Sequence, residues 1–247
     1  MLFVMRRETS NKLRYILEDV IPPVVRDSRA FLTVAKLAWG DHISNLAKFR
    51  ARAPFLTDEE YENLYRHHPR VHAHTDNSNA CVERIIADAV GENICDVGCG
   101  TGYLLNVIRL KRPDIKHFTG VDFVIEDAKG VEGIEYIAAK IENLPFPDRH
   151  FDTVICTHVI EHILDYRAAI AELRRITKQK LIIVVPRERE YKYSFNPHFN
   201  FFPYMHSFLR AVHPVPERHM CADIGRDIYY SEMSAHCDGA AKAASAA

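Results

Sequence analysis

The chain has 247 residues, 47% hydrophobic and 26% charged, which suits one substantial core carrying an extension and excludes a disordered or fibrous polymer. Its formal charge of -1 gives no global attraction to nucleic acid or to an anionic membrane. The six cysteines lack the paired spacing of a zinc site, and Cys95, Cys99 and Cys156 fall in or beside apolar runs, so they read as small buried thiols in a reducing compartment. Met1 to Met5 is apolar, but Arg6, Arg7 and Glu8 come at once after it. That run is too short for a secretory segment or a membrane span, and a cytosolic protein is expected.

Residues 1–76 show helical spacing without strand alternation, at Leu13, Ile16, Leu17 and Val20, at Val34, Leu37 and Ala38, and at Ile43, Leu46 and Ala47. Pro22-Pro23 separates the first helix from the second, and Ala53-Pro54 ends a third. Thr57 followed by Asp58, Glu59 and Glu60, ahead of Tyr61, Leu64 and Tyr65, marks another helix start. The amphipathic faces need a partner, so this extension is expected to dock on the ligand end of the neighbouring α/β domain and to cover it.

From Asn77 or Ser78 a helix through Val82, Ile85, Ile86 and Ala89 leads by way of Gly91 into strict alternation. The expected order is strand 93–97, helix 102–111, strand 117–122, a short helix near 125–129, strand 134–138, strand 151–157, helix 165–176 and strand 180–185. Such alternation builds a doubly wound, mostly parallel α/β sheet over 77–235, covered on both faces. Leu181 to Val185 is apolar throughout, as a strand buried on both sides must be. Residues 236–247 are low in complexity and form an expected disordered tail.

The most informative stretch runs from Ile94 to Leu105, where a short apolar strand enters glycines at 98, 100 and 102. Asp96 and Val97 end the strand, the glycines allow close approach of a ligand, and the helix from Tyr103 aims its first amides at it. The next strand, His117 to Asp122, ends in an acid where a ribose diol needs a bidentate acceptor. The spacing Gly-x-Gly-x-Gly is not that of a dinucleotide fold, and no Gly-Lys-Ser/Thr comes after it to hold a triphosphate. Together these features specify an adenosine-type site.

Asp96-Val97-Gly98-Cys99-Gly100-Thr101-Gly102 resembles the first motif of the class I S-adenosylmethionine-dependent methyltransferases. Glu142 to Asp148 is similar to their adenine loop, Phe151 to Ile155 to their fourth strand, and Val159 to His162 to the segment after it, so residues 80 to about 186 carry the resemblance. It implies a Rossmann-like fold with S-adenosylmethionine as cofactor, and Arg226 to Met233 as a last, antiparallel edge strand. It also implies that Gly98, Gly100 and Gly102 pass under the methionine part, Asp96 supports the amino group and Asp122 takes the ribose hydroxyls. Lys140 stands where the family often has an acid, and a lysine cannot accept from the adenine amino group. The edge contact therefore moves to the backbone of Ile141 and to Glu142, which reads equally as a solvated loop carboxylate.

His158 comes just after the fourth strand, where open α/β sheets bind ligands, and suits removal of a proton from a hydroxyl or amine. His162 joins it on one face if the segment is helical, with Glu161 beside it; alternatively the Glu-His pair only orients the loop. The small-RNA terminal 2′-O-methyltransferases are similar here, with Glu-x-x-Glu-His and a later histidine on a divalent metal. This chain has His158-x-x-Glu161-His162 and then His198, but a histidine replaces the first acid and no basic RNA-gripping composition is present, so an ion-free site is expected. Tyr191 to Tyr204 is rich in aromatics and is either an acceptor lid, with Arg187, Arg189 and Lys192 reaching for an anion, or a hydrophobic plug. The leading expectation is methyl transfer to an oxygen or nitrogen of a small-molecule, saccharide or lipid-precursor acceptor. A metal-assisted RNA 2′-O-methyltransferase and a non-catalytic donor-binding partner protein are the alternatives.

Overall fold

A computed structural model of the chain describes residues 7–40, 50–57, 59–61, 63, 74–125, 131–192 and 196–234. The N-terminal helices are α1 (Arg7–Tyr15), which widens into a π-helical turn at Ile16–Val20, then α2 (Pro23–Arg26) and α3 (Arg29–Trp39). Pro23 occupies the first turn of α2, where its missing N–H is no loss, and the Ser28 hydroxyl caps α3 by accepting from Phe31 N. At Thr57 the expected helix start is a reciprocal capping box: Glu60 N donates to Thr57 Oγ1, and Thr57 N donates to Glu60 Oε2. The helix expected through Ile43, Leu46 and Ala47, positions Leu64 and Tyr65, residues 126–129 and the 236–247 tail lie outside the described residues.

Beyond them come α4 (Asn79–Asp88), β1 (Asn93–Val97), α5 (Tyr103–Lys111), β2 (His117–Asp122), β3 (Glu135–Ala138), β4 (Phe151–Thr157), α6 (Tyr166–Ile176), β5 (Thr177–Pro186), α7 (Met205–Ala211), β6 (His219–Ile224) and β7 (Asp227–Met233). The strands form one sheet in the order β3-β2-β1-β4-β5-β7-β6, parallel from β3 to β5 and antiparallel at β7. Strand alternation divides the core. Cys95, Val154, Ile183 and Tyr230 pack on one face with Ile170 and Leu173 of α6, while Ile94, Ile155, Ile182 and Tyr229 pack on the other with Ile85 of α4 and Leu105 of α5. Chain direction across the sheet reverses between β1 and β4, and the crevice at their carboxyl ends is where such sheets take ligands.

Two expectations need correction. Residues 227–233 are not an edge strand, because β6 pairs outside them. Ile228, Tyr229 and Tyr230 are buried in succession, which only an interior strand allows, whereas the half-exposed His219–Ile224 segment shows no alternation that would have revealed it. The apolar stripes of the extension are the second. In α1 the inward side carries Arg14 and Glu18 with Leu17, while Ile16 and Val20 are exposed; in α3 Leu37 is 84% exposed. Helical periodicity is present, but charge decides the docked face. The Arg14 guanidinium lies 3.2 Å from Glu18 and 3.7 Å from Glu188, and donates to the Arg187 carbonyl. Arg226 lies 3.0 Å from Asp19. These contacts set α1 against the end of β5 and the start of β7, at the ligand end of the sheet.

Candidate functional site

The chain leaves β1 at Asp96 and Val97 and turns through Gly98, Gly100 and Gly102, all with φ between 53° and 83°. At Gly98 a side chain is excluded twice over, by that backbone and because a Cβ would lie 2.1 Å from Val159 Cγ2. The glycine loop therefore abuts the segment just past β4. Gly98 N and Cys99 N both donate to the Val121 carbonyl, fixing the loop to the end of β2, and Gly102 caps α5. The Asp122 carboxylate accepts from Gly100 N at 2.7 Å and from Val124 N at 3.2 Å, so it is held at the rim of the loop.

Asp96 is 2% exposed, and its Oδ1 has no hydrogen-bond partner. Burial, then the charge of Asp122, raises its carboxyl to about 7. A buried acceptor without a donor fits the amino group of a bound amino-acid moiety. The loop after β3 is fastened at both ends: Ala139 N donates to the Asp122 carbonyl, and Arg175 of α6 donates to the Leu144 and Phe146 carbonyls while pairing with Glu172 and Asp148. Ile141 packs its side chain into the core beside Leu144, and Glu142 is exposed. Phe123 was not singled out by sequence reasoning. It is the residue directly after Asp122 and has the Lys140 ammonium 6.0 Å and the Tyr61 ring 6.4 Å from its own ring, which places an aromatic surface beside the Asp122 carboxylate.

Past β4 the chain makes a 3-10 turn at Ile160–His162 instead of an α-helix, so the condition for one shared helical face is not met, and His158 precedes the turn. His158 has φ 55°, a left-handed conformation rare for a non-glycine residue and concentrated at functional sites. Its amide donates to the Val184 carbonyl, and its ring lies 3.5 Å from Glu161 and 3.9 Å from Asp227. Backbone carbonyls of the turn are all engaged. Asn200 Nδ2 donates to those of Ile160 and Ile163, Phe199 N and Asn200 N to that of Glu161, and the Tyr61 hydroxyl to that of His162.

Glu161 is 1% exposed, and neither carboxylate oxygen receives a hydrogen bond. Burial opposes its ionisation, but His158, His162 and His198 outweigh burial and hold the carboxyl below its ordinary range. His162 Nδ1 donates to the Pro197 carbonyl, while burial and then His198 push its pKa down to about 4. His198 Nδ1 lies 2.6 Å from Glu188 Oε2; burial lowers the imidazole pKa, and Glu188 more than restores it. The same pair, with Arg14, overcomes burial at Glu188 and depresses it to about 2. Among the described residues Glu161, His162 and His198 form a group whose ligand atoms lie within 4.8 Å of one another.

The aromatic segment divides between its two readings. Phe202 enters the core against Phe208, as a plug, whereas Phe199 packs near Tyr61 and Phe201 lies under Arg50, as parts of a cover. Arg187 and Arg189 face Asp223 and Asp19, so their charge is already balanced. Positions 193–195 lie outside the described residues. Asn77, with its amide donating to Thr157 and its Oδ1 buried without a partner, adds a polar group at the end of β4.

A protein-family model described as a methyltransferase domain matches residues 95–185. The methyltransferase YcgJ of Bacillus subtilis is 32% identical over 95 residues, covering 35% of this chain and 36% of that protein. The demethylmenaquinone methyltransferase of Thermotoga maritima is 31% identical over 108 residues, covering 42% and 47%. The chain thus spans less than half the length of these relatives. A solved S-adenosylmethionine-dependent methyltransferase from Aquifex aeolicus shares the fold, with a TM-score of 0.50 at 16% identity over 62% of this chain and 89% of that one. No helix of the described residues is long and apolar enough to cross a membrane. With the glycine loop, the acid ending β2 and the seven-stranded order in place, residues 95–185 form a methyltransferase domain within a sheet of the Rossmann-like class I methyltransferase fold.

Proposed function

We propose that the protein binds S-adenosylmethionine between the glycine loop and Asp122 and transfers its methyl group to an oxygen or nitrogen of a small-molecule, saccharide or lipid-precursor acceptor. The observation that carries this reading is the close approach of Val159 to Gly98, which sets the donor loop directly against the segment just after His158. The similarity to a demethylmenaquinone methyltransferase supports a small-molecule acceptor.

When bound, the donor supplies an electrophilic methyl carbon on a sulfonium. The chain's own work is then positioning and proton removal. Asp96 and Asp122 hold the amino group and the ribose, and the Phe123 ring and the Ile141 backbone take the adenine. His158 receives the proton of the acceptor, its ring set between Glu161 at 3.5 Å and Asp227 at 3.9 Å. Residues 1–76 serve as the cover of the acceptor side, through Tyr61 and Arg50, over a catalytic domain at 77–235. The decisive experiment tracks conversion of labelled donor to S-adenosylhomocysteine across a metabolite panel. A protein that binds donor and turns over nothing on that panel would be a binding partner instead.

Two tests address the donor alone. Asp122→Ala removes a charged, two-oxygen acceptor and is expected to weaken S-adenosylhomocysteine binding by about 10- to 100-fold in calorimetry, on the order of 1.5–3 kcal/mol. Unchanged affinity would remove Asp122 from the ribose. The second test uses pH. An ammonium held by Asp96 favours the ionised carboxylate, so binding releases the proton that Asp96 carries below about 7, and affinity must rise with pH. The rise should be roughly tenfold between pH 6 and pH 8 for a carboxyl titrating in that window. A flat profile would mean that Asp96 does not meet the amino group.

A further inference from the structure

We propose that Asn77 selects the donor by its amino-acid part: the side-chain oxygen of Asn77 is a second acceptor, beside Asp96, for the donor's amino group. The assignment rests on the donor site proposed above and adds to it a residue from outside the glycine loop and β2.

Residues 74–77 lead from the N-terminal helices into α4, and they are tied to both walls of the crevice. At one end the His74 ring stacks on Tyr103, the first residue of α5 after the glycine loop, with centroids 5.2 Å apart and planes 18° from parallel. At the other, Asn77 Nδ2 donates to Thr157 Oγ1 at 2.9 Å, at the last position of β4 and next to His158. The segment therefore crosses the carboxyl ends of β1 and β4, where the sheet takes its ligand.

Asn77 is 4% exposed, and its amide is fixed by two hydroxyls. Besides the bond to Thr157, Nδ2 donates to Thr75 Oγ1 at 3.1 Å, and Asn77 N donates to the same hydroxyl at 3.1 Å. The NH₂ end is thus committed, while Oδ1 is buried and accepts no hydrogen bond among the described residues. A buried amide oxygen is costly in that state unless a ligand donates to it.

Strand register says which part of the ligand that is. Asp96 of β1 pairs with Ile155 of β4, and Thr157 comes two residues later, so alternation puts Asp96 and Thr157 on one face, the face of Ile94 and Ile155 that packs on α4 and α5. Their backbone positions are roughly 8 Å apart by strand spacing, and Asn77 is held on the second of them. Two buried oxygens without donors, Asp96 Oδ1 and Asn77 Oδ1, are thereby brought to the same end of the crevice. An alkylammonium has three N–H donors, and one carboxylate oxygen leaves the others unmet where water is excluded. Asp96 supplies the charge and Asn77 a neutral oxygen, a pair that suits the ammonium of a free amino acid.

The test compares two ligands by calorimetry on the full chain: S-adenosylhomocysteine, and methylthioadenosine, which keeps the adenosine and the sulfur but lacks the amino acid. Asn77→Leu is expected to weaken S-adenosylhomocysteine by about 10-fold or more while changing methylthioadenosine by less than about twofold. Asn77→Asp, to which the Thr75 and Thr157 hydroxyls can donate in turn, keeps an oxygen for the ammonium and should hold S-adenosylhomocysteine within about threefold of the wild type. An equal loss for both ligands in Asn77→Leu would make Asn77 a structural residue and overturn the assignment. So would wild-type S-adenosylhomocysteine affinity in Asn77→Leu, or a loss in Asn77→Asp as large as that in Asn77→Leu. Each of these results leaves the donor site standing, since the wild type still binds both ligands; a wild type that binds neither overturns the donor site and the role of Asn77 together.

Discussion

His158→Ala is expected to slow methyl transfer by about 10²- to 10⁴-fold while leaving S-adenosylhomocysteine affinity unchanged. The ring lies beside Asp227 and Glu161 at the carboxyl end of β4, and its backbone is held by the Val184 carbonyl, so the imidazole is fixed where an acceptor proton can reach it. Alanine also changes a residue at φ 55°, where a side chain other than asparagine or aspartate is strained. His158→Asn separates the two effects, because asparagine tolerates that backbone and offers no comparable base. A loss of the same size in His158→Asn places the defect in proton removal. Full activity in His158→Asn would instead mean that the site works by bringing donor and acceptor together.

Arg14→Ala is expected to give the largest loss of stability among single substitutions at the docked face of α1, about 3–5 kcal/mol in urea denaturation. Arg14 sits between Glu18 and Glu188, and all three are buried, so its removal leaves two carboxylates with a much weaker cationic environment. The double change of Arg14 and Glu18 to Met and Leu should recover part of the loss by removing one stranded charge. A loss below about 1 kcal/mol for Arg14→Ala alone would make the contact no stronger than a surface ion pair, with α1 only loosely held.

The donor half of the site was legible because its chemistry is written in consecutive residues. Asp96, Gly98, Gly100 and Gly102 are neighbours in sequence, and Asp122 closes the next strand, so strand order alone brings them together. Phe123 could have been found by reading one residue past that acid. In the acceptor half, His158, Glu161, His162 and His198 could be picked out in the sequence, but not the groups that hold them. Glu188, Arg14 and Asp227 come from a loop, an N-terminal helix and the start of β7, and nothing in local spacing predicts that they converge on His198 and His158. The N-terminal helices misled for a related reason. Their apolar periodicity identified helices, but buried ion pairs settled which side docks, and such pairs are a property of the assembled fold.

The long reach of α1 also sets an order of assembly. Arg14 finds its carbonyl and carboxylate partners at residues 187 and 188, and Asp19 finds its arginine at 226. Contacts so distant along the chain close late, after nearer ones have reduced the loop entropy. On the ribosome this helix leaves the tunnel long before β5 and β7 exist, and it must wait with Arg14, Leu17 and Glu18, buried in the folded protein, still in water. The helix is made before its partners and placed after them, so a nascent chain stalled before residue 188 leaves α1 unattached.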